Sequence, residues 1–176
     1  MKNVLAMMLV ILALVTLSSS AFAAGGVQRM YLAPGAWAIE NLPSIGSTPY
    51  TALAADQGFL SDRIFMATCV DGGIDQIWRG GGVWASGHMA GLGSVKYTAI
   101  AADLGFISDH IYNAARDDGG IDQIWLAPGA WQIANVASIG TTKYTALVAE
   151  PNFVSDHIYW AARADGGLDQ IYLGDG

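Results

Sequence analysis

Short extended-looking stretches recur along the chain at a fixed interval. In Ile74-Asp75-Gln76-Ile77-Trp78, the side chains of Ile74, Gln76 and Trp78 fall on one face of a strand and those of Asp75 and Ile77 on the other. Apolar groups project both ways, which predicts a strand covered on both faces. The phrase Asp-Gly-Gly-Ile-Asp-Gln-Ile-Trp occupies Asp71 to Trp78 and again Asp118 to Trp125, and Asp-Gly-Gly-Leu-Asp-Gln-Ile-Tyr occupies Asp165 to Tyr172. From Gly72 to Gly119 and from Gly119 to Gly166 the step is 47 residues, and one step back falls on Gly25, which opens a weaker copy, Gly25 to Tyr31. The chain is a tandem array with copies at 25–71, 72–118 and 119–165 and a partial copy at 166–176.

Each copy holds four segments separated by turn residues. The first is Ile74 to Trp78 and its equivalents, followed by Pro34-Gly35, Gly80 to Gly82 or Pro128-Gly129. The second begins at Trp37, Trp84 and Trp131 and ends near Gly46, Gly93 and Gly140; the third begins at Tyr50, Tyr97 and Tyr144. The fourth covers Arg63 to Cys69, His110 to Arg116 and His157 to Arg163. Ser108-Asp109 before that segment and Gly119 behind it imitate helix-capping signals. The first copy nevertheless carries Phe65, Thr68, Cys69 and Val70 there, residues that favour a strand. Four strands per copy predict an all-β fold, with Asp-Gly-Gly supplying the positive φ of a tight hairpin.

The run Tyr-Thr-Ala-Leu-Ala-Ala-Asp, then Ser-Asp-x-Ile-Tyr/Phe-x-Ala, then Gly-Gly-Ile, then Gly-x-Trp resembles the blade of β-propellers of the sortilin and BNR-repeat kind. The Asp-box of that group is reduced here to Pro-Gly-Ala-Trp (Pro34 to Trp37, Pro128 to Trp131), so the resemblance does not imply a sialidase-like activity. A second similarity, to tachylectin-like propellers, implies sugar binding. Propellers usually have 4 to 8 blades. Three blades per chain plus one extra strand predict a homo-oligomer, a dimer giving six blades. Gly166 to Tyr172 is then expected to be a strand that lacks a partner in its own chain. The alternative is a β-trefoil of the ricin-lectin kind, which Gln76-Ile77-Trp78, Gln123-Ile124-Trp125 and Gln170-Ile171-Tyr172 imitate.

Residues 1–23 read as a signal peptide: Lys2 gives the positive start, Val4 to Leu17 is apolar, and Ala21-Phe22-Ala23 is a small-x-small cleavage site. The expected mature domain is 24–176, secreted or periplasmic, with no membrane partner after cleavage. With 8 Lys and Arg against 15 Asp and Glu, the net charge of −7 argues against a nucleic-acid partner. A hydrophobic share of 53% with 13% charged residues is too apolar for disorder. The single cysteine, Cys69, permits no internal disulfide and reads as a small buried hydrophobe.

Catalysis needs one asymmetric set of acid, base and nucleophile. The repeat shows none, so no enzyme activity and no cofactor are expected. Glu40 and Glu150 have no obvious partner in the sequence. No His-x-x-x-His or Cys-x-x-Cys spacing supports a structural zinc site. The paired aspartates Asp71 and Asp75, Asp118 and Asp122, and Asp165 and Asp169 fall short of a calcium shell and read as turn formers. The candidate ligand residues are polar groups beside aromatics: His110, Tyr112 and Arg116 on one strand face, His157, Tyr159 and Arg163 on its equivalent, and Trp37, Trp84 and Trp131 past a turn. Such a set suits a shallow carbohydrate site. The expected function is a multivalent, lectin-like binding module for a carbohydrate or protein ligand, with a self-assembling scaffold protein as the alternative.

Overall fold

The computed structural model describes residues 26–42, 45–55, 65–103, 111–128, 130–150 and 158–172. Among the described residues are thirteen strands in the order β1 (Gln28–Ala33), β2 (Ala36–Asn41), β3 (Tyr50–Ala55), β4 (Phe65–Cys69), β5 (Ile74–Gly80), β6 (Val83–His88), β7 (Tyr97–Ala102), β8 (Ile111–Arg116), β9 (Ile121–Ala127), β10 (Ala130–Asn135), β11 (Tyr144–Ala149), β12 (Tyr159–Arg163) and β13 (Leu168–Ile171). Two single-turn 3₁₀ segments, Ala90–Leu92 and Ala137–Ile139, follow β6 and β10. The described part of the fourth segment of each copy is a strand, as Thr68 and Cys69 favour; the helix-capping imitation at Ser108-Asp109 lies outside the described residues.

The chain divides into two compact units, residues 1–49 and 50–176. The first contains the antiparallel hairpin β1–β2, in which Arg29 lies opposite Glu40 and bonds it. Glu40 thus has a partner, and so does Glu150, which accepts from Trp160 Nε1 at 3.1 Å. Neither pair was visible in the sequence, because both form across strands.

The second unit contains three antiparallel sheets: β3-β4-β5-β6, β7-β8-β9-β10 and β11-β12-β13. Every pairing joins consecutive strands of one sheet, which excludes the trefoil, whose barrel draws strands from all three repeats together. The sheets are out of phase with the sequence copies. Asp-Gly-Gly is the tight turn from the second strand of a sheet to its third, closed by Gly72 N–H to Cys69 O at 3.1 Å and Cys69 N–H to Gly73 O at 3.0 Å. The chain crosses to the next sheet after the fourth strand, through residues 89–96 and 136–143. Accordingly β13 is the third strand of the third sheet, with Tyr159 opposite Ile171. This corrects the expectation that Gly166 to Tyr172 has no partner in its own chain. A repeat period does not reveal where hydrogen bonding breaks.

Consecutive sheets pack face to face, as apolar positions on both sides of the strands demand. Met66 and Ile74 of the first sheet meet Tyr97, Ile100, Tyr112 and Ile124 of the second, and Ala99, Ala115 and Ile121 meet Tyr144 and Ala161 of the third. Burying a side chain such as Ile121 or Ile124 contributes about 1.5–3 kcal/mol. A register shift between Tyr50 and Ala52, repeated at Tyr97/Ala99 and Tyr144/Ala146, turns the intervening threonine out of the ladder. Thr51 Oγ1 then donates to Tyr97 O of the next sheet at 2.8 Å, and Thr98 Oγ1 donates likewise to Tyr144 O. In the first two sheets the bulge residue thereby stitches the first strand to that of the next sheet, while Thr145 of the third bonds Ala162 O of its own sheet.

Candidate functional site

The third strand of each sheet carries an inward carboxylate, and the first strand of the same sheet reaches it with a phenol. Tyr50 Oη donates to Asp75 Oδ2 at 2.8 Å, Tyr97 Oη to Asp122 Oδ2 at 2.9 Å, and Tyr144 Oη to Asp169 Oδ2 at 3.0 Å. Burial, then the hydrogen bond to Asp122, raises the Tyr97 phenol pKa well above its ordinary value; burial and Asp169 raise that of Tyr144. In the second sheet Asn135 Nδ2 adds a bond to Asp122 Oδ1 at 3.0 Å, and Arg116 Nη1 stands 3.5 Å from the same oxygen. The third sheet repeats the cation with Arg163 Nη1 at 3.8 Å from Asp169 Oδ1. In the first sheet both flanking groups change: Cys69 takes the place of Arg116, and His88 that of Asn135. His88 Nδ1 lies 2.8 Å from Asp75 Oδ1. Burial first, then the charge of Asp75, pushes the Cys69 thiol up to about 12.

The other aspartate of each turn has a separate job. Asp118 accepts from Arg116 Nε and Nη2, both at 2.8 Å, and Asp165 accepts from Arg163 in the same two-pronged way. These bonds hold both carboxyls below the usual carboxylate range. In the second and third sheets the two aspartates flank one arginine, the outer one held by the two-pronged bond and the inward one at 3.5 Å in the second sheet and 3.8 Å in the third.

The residues singled out in the sequence divide by location. Tyr112 and Tyr159 are buried, Tyr112 with its ring 6.0 Å from that of Trp131. Arg116 and Arg163 are committed to their aspartates. Trp84 packs on Phe65, ring centroids 5.7 Å apart, and Trp37 stands exposed on the β1–β2 hairpin. His110 and His157 lie outside the described residues. The described members of that set do not share one pocket.

What the second unit does contain is an open cleft of about 330 Å³ lined by β5 and β6 of its first sheet and β10 of its second. Trp78, Gln76 and His88 line it from the first sheet, Trp131 from the second, and Leu92 from the 3₁₀ segment that follows β6. The indole of Trp78 lies over Gly87, where an added Cβ would stand 3.4 Å from the ring. Only Trp131 of this group was legible as a ligand residue. Trp78 and Gln76 sit in a strand that reads as core, yet both are only partly buried.

Neither a protein-family model nor a curated protein sequence matches the chain. Solved structures similar to the chain include these two. Apo AztD from Citrobacter koseri superposes with a TM-score of 0.51 at 14% identity, covering 83% of this chain and 42% of that protein. The β-propeller domain of Cps50 (Swd1) from Myceliophteria thermophila gives 0.51 at 8% identity, covering 84% of this chain and 63% of that one. The fold is of the β-propeller type. At these identities the likeness concerns fold alone, and the chain spans less than two thirds of either structure.

Proposed function

We propose that the protein is a secreted or periplasmic binding module of propeller type whose ligand is a carbohydrate, held in the cleft between the first two sheets of the second unit. The observation that carries this reading is the composition of the cleft. Two indoles, Trp78 and Trp131, offer faces for the C–H surface of a sugar ring, while Gln76 and His88 offer hydrogen bonds to hydroxyls. Its volume lies at the small end of ligand pockets, about 300–1,000 Å³. The tachylectin-like resemblance of the repeats implies the same ligand class.

Glycan-array screening followed by calorimetry tests this. Trp78→Ala and Gln76→Ala are each expected to weaken sugar binding about tenfold or more. Unchanged affinity in both would remove the cleft as the site. The paired change His110→Ala and His157→Ala is the comparison: loss there, with Trp78→Ala silent, would move the ligand to those two histidines.

A scaffold role is favoured by a different observation. Among the described residues the outer edge of β13 carries no further strand, and Leu168 and Tyr172 beside it are largely exposed. An edge of this kind is a template for pairing with another chain. Light scattering on the purified protein is expected to give a homodimer. A monomer would overturn self-assembly, and large polymers would favour the scaffold over the sugar-binding module.

A further inference from the structure

The three sheets of the second unit are near copies, so a residue that departs from the repeat stands out against its own equivalents. Around the inward carboxylate two departures occur together, and both are in the first sheet. Arg116 and Arg163 become Cys69, and Asn135 becomes His88. A buried carboxylate needs a counter-charge. In the second sheet Arg116 supplies it to Asp122. Asp75, only 7% exposed, has instead a thiol and an imidazole.

We propose that Cys69, Asp75 and His88 form a site for a divalent transition-metal ion, with zinc the best match. The three donor atoms, Cys69 Sγ, an Asp75 carboxylate oxygen and a His88 ring nitrogen, lie within 4.8 Å of one another. Zinc holds sulfur at about 2.3 Å and nitrogen or oxygen at about 2.0–2.2 Å, which places tetrahedral donors roughly 3.5 Å apart. Adjustments of about 1 Å bring these three into that geometry. Soft thiolate and imidazole beside one carboxylate select zinc-like ions over calcium or magnesium.

The surroundings fit the same role. Tyr50 Oη donates to Oδ2 of Asp75 and leaves Oδ1 on the His88 side, so the carboxylate is oriented by an outer hydrogen bond. Gly73, at φ +84°, makes room for the imidazole; a Cβ there would stand 2.7 Å from His88 Cε1. On binding, the Cys69 thiol gives its proton to solvent and becomes a thiolate. The hydrogen bond between His88 and Asp75 is exchanged for two bonds to the ion. One thiolate, one carboxylate and one dication sum to zero charge, replacing the carboxylate–guanidinium balance of the second sheet. Three protein donors leave the fourth tetrahedral position to water. The site shares His88 with the lining of the cleft, but metal uptake is read without glycan, so its failure and the failure of the sugar reading are distinguishable.

Zinc dialysis with metal analysis, and cobalt substitution monitored by absorption, test the proposal on the purified chain without glycan. One ion per chain is expected, with a thiolate-to-cobalt charge-transfer band. The double variant Cys69→Arg with His88→Asn recreates the arrangement of the second sheet, and it is expected to keep the circular dichroism of the parent. Its metal affinity should fall by at least about 100-fold. The single variant Cys69→Ser, which retains size and fold, should abolish the charge-transfer band. Absence of stoichiometric uptake by the parent protein, equal uptake by the double variant, or uptake without a thiolate band would each overturn the site. Trp78→Ala, which alters the cleft without removing a donor, should leave metal uptake unchanged.

Discussion

Asp122→Ala is expected to destabilise the protein by about 3–5 kcal/mol, the range for removing one partner of a buried ionic network. The carboxylate accepts from Tyr97 Oη and Asn135 Nδ2 and faces Arg116, and its side chain is only 4% exposed. Alanine leaves a buried phenol, an amide and part of a guanidinium without their acceptor, and buried groups stranded in this way lose both protein and water as partners. The equivalent Asp169 makes the same contact to Tyr144, but its side chain is 34% exposed and Arg163 is more distant. Water can therefore replace the lost acceptor in the third sheet. Asp169→Ala is expected to cost about 1 kcal/mol. Urea denaturation of the two variants decides the matter: equal losses would show that burial of the carboxylate is not what gives the network its weight.

Much of this architecture was written in the 47-residue step. A position occupied by Tyr112 in one copy and Phe65 in another must accept one backbone conformation, and Thr68 and Cys69 pointed to strand where a single copy resembled a capped helix. The phase of the sheets was hidden for a physical reason. Asp-Gly-Gly marks a sharp turn, but sharp turns join strands within a sheet, while the less marked stretches around the 3₁₀ segments carry the chain between sheets. Cleft-lining residues were hidden by the same two-sided burial that identified the strands. Tyr112 and Arg116 alternate as a binding face would, yet both faces of β8 are covered, so alternation there says nothing about exposure. The cluster of Cys69, Asp75 and His88 escaped a search for metal spacings because its members come from three different strands. Its trace in the sequence is of another kind: two metal-ligating residue types enter at once where the other copies keep arginine and asparagine.

Gly119→Ala is expected to destabilise the protein by about 3 kcal/mol or more, through two effects that its neighbours allow to be separated. The residue sits at φ +107°, where a Cβ is strained whatever the space around it, and the Cβ would also lie 2.2 Å from Thr141 O. That oxygen belongs to the segment leading into β11, which the adjacent Gly120 N–H holds by donating to Thr142 O at 2.9 Å. Neither backbone can retreat without breaking the turn that joins β8 to β9 or the crossing to the third sheet. Gly81, in the β5–β6 turn, supplies the comparison: its φ is +57° and nothing lies within 4 Å of an added Cβ. Gly81→Ala carries the conformational penalty alone, about 1 kcal/mol. The difference between the two midpoints in thermal or urea unfolding measures the close approach of β-turn and crossover. If Gly119→Ala were no worse than Gly81→Ala, the contact with Thr141 would not constrain the fold, and Asp-Gly-Gly would be kept at each step for its turn geometry only.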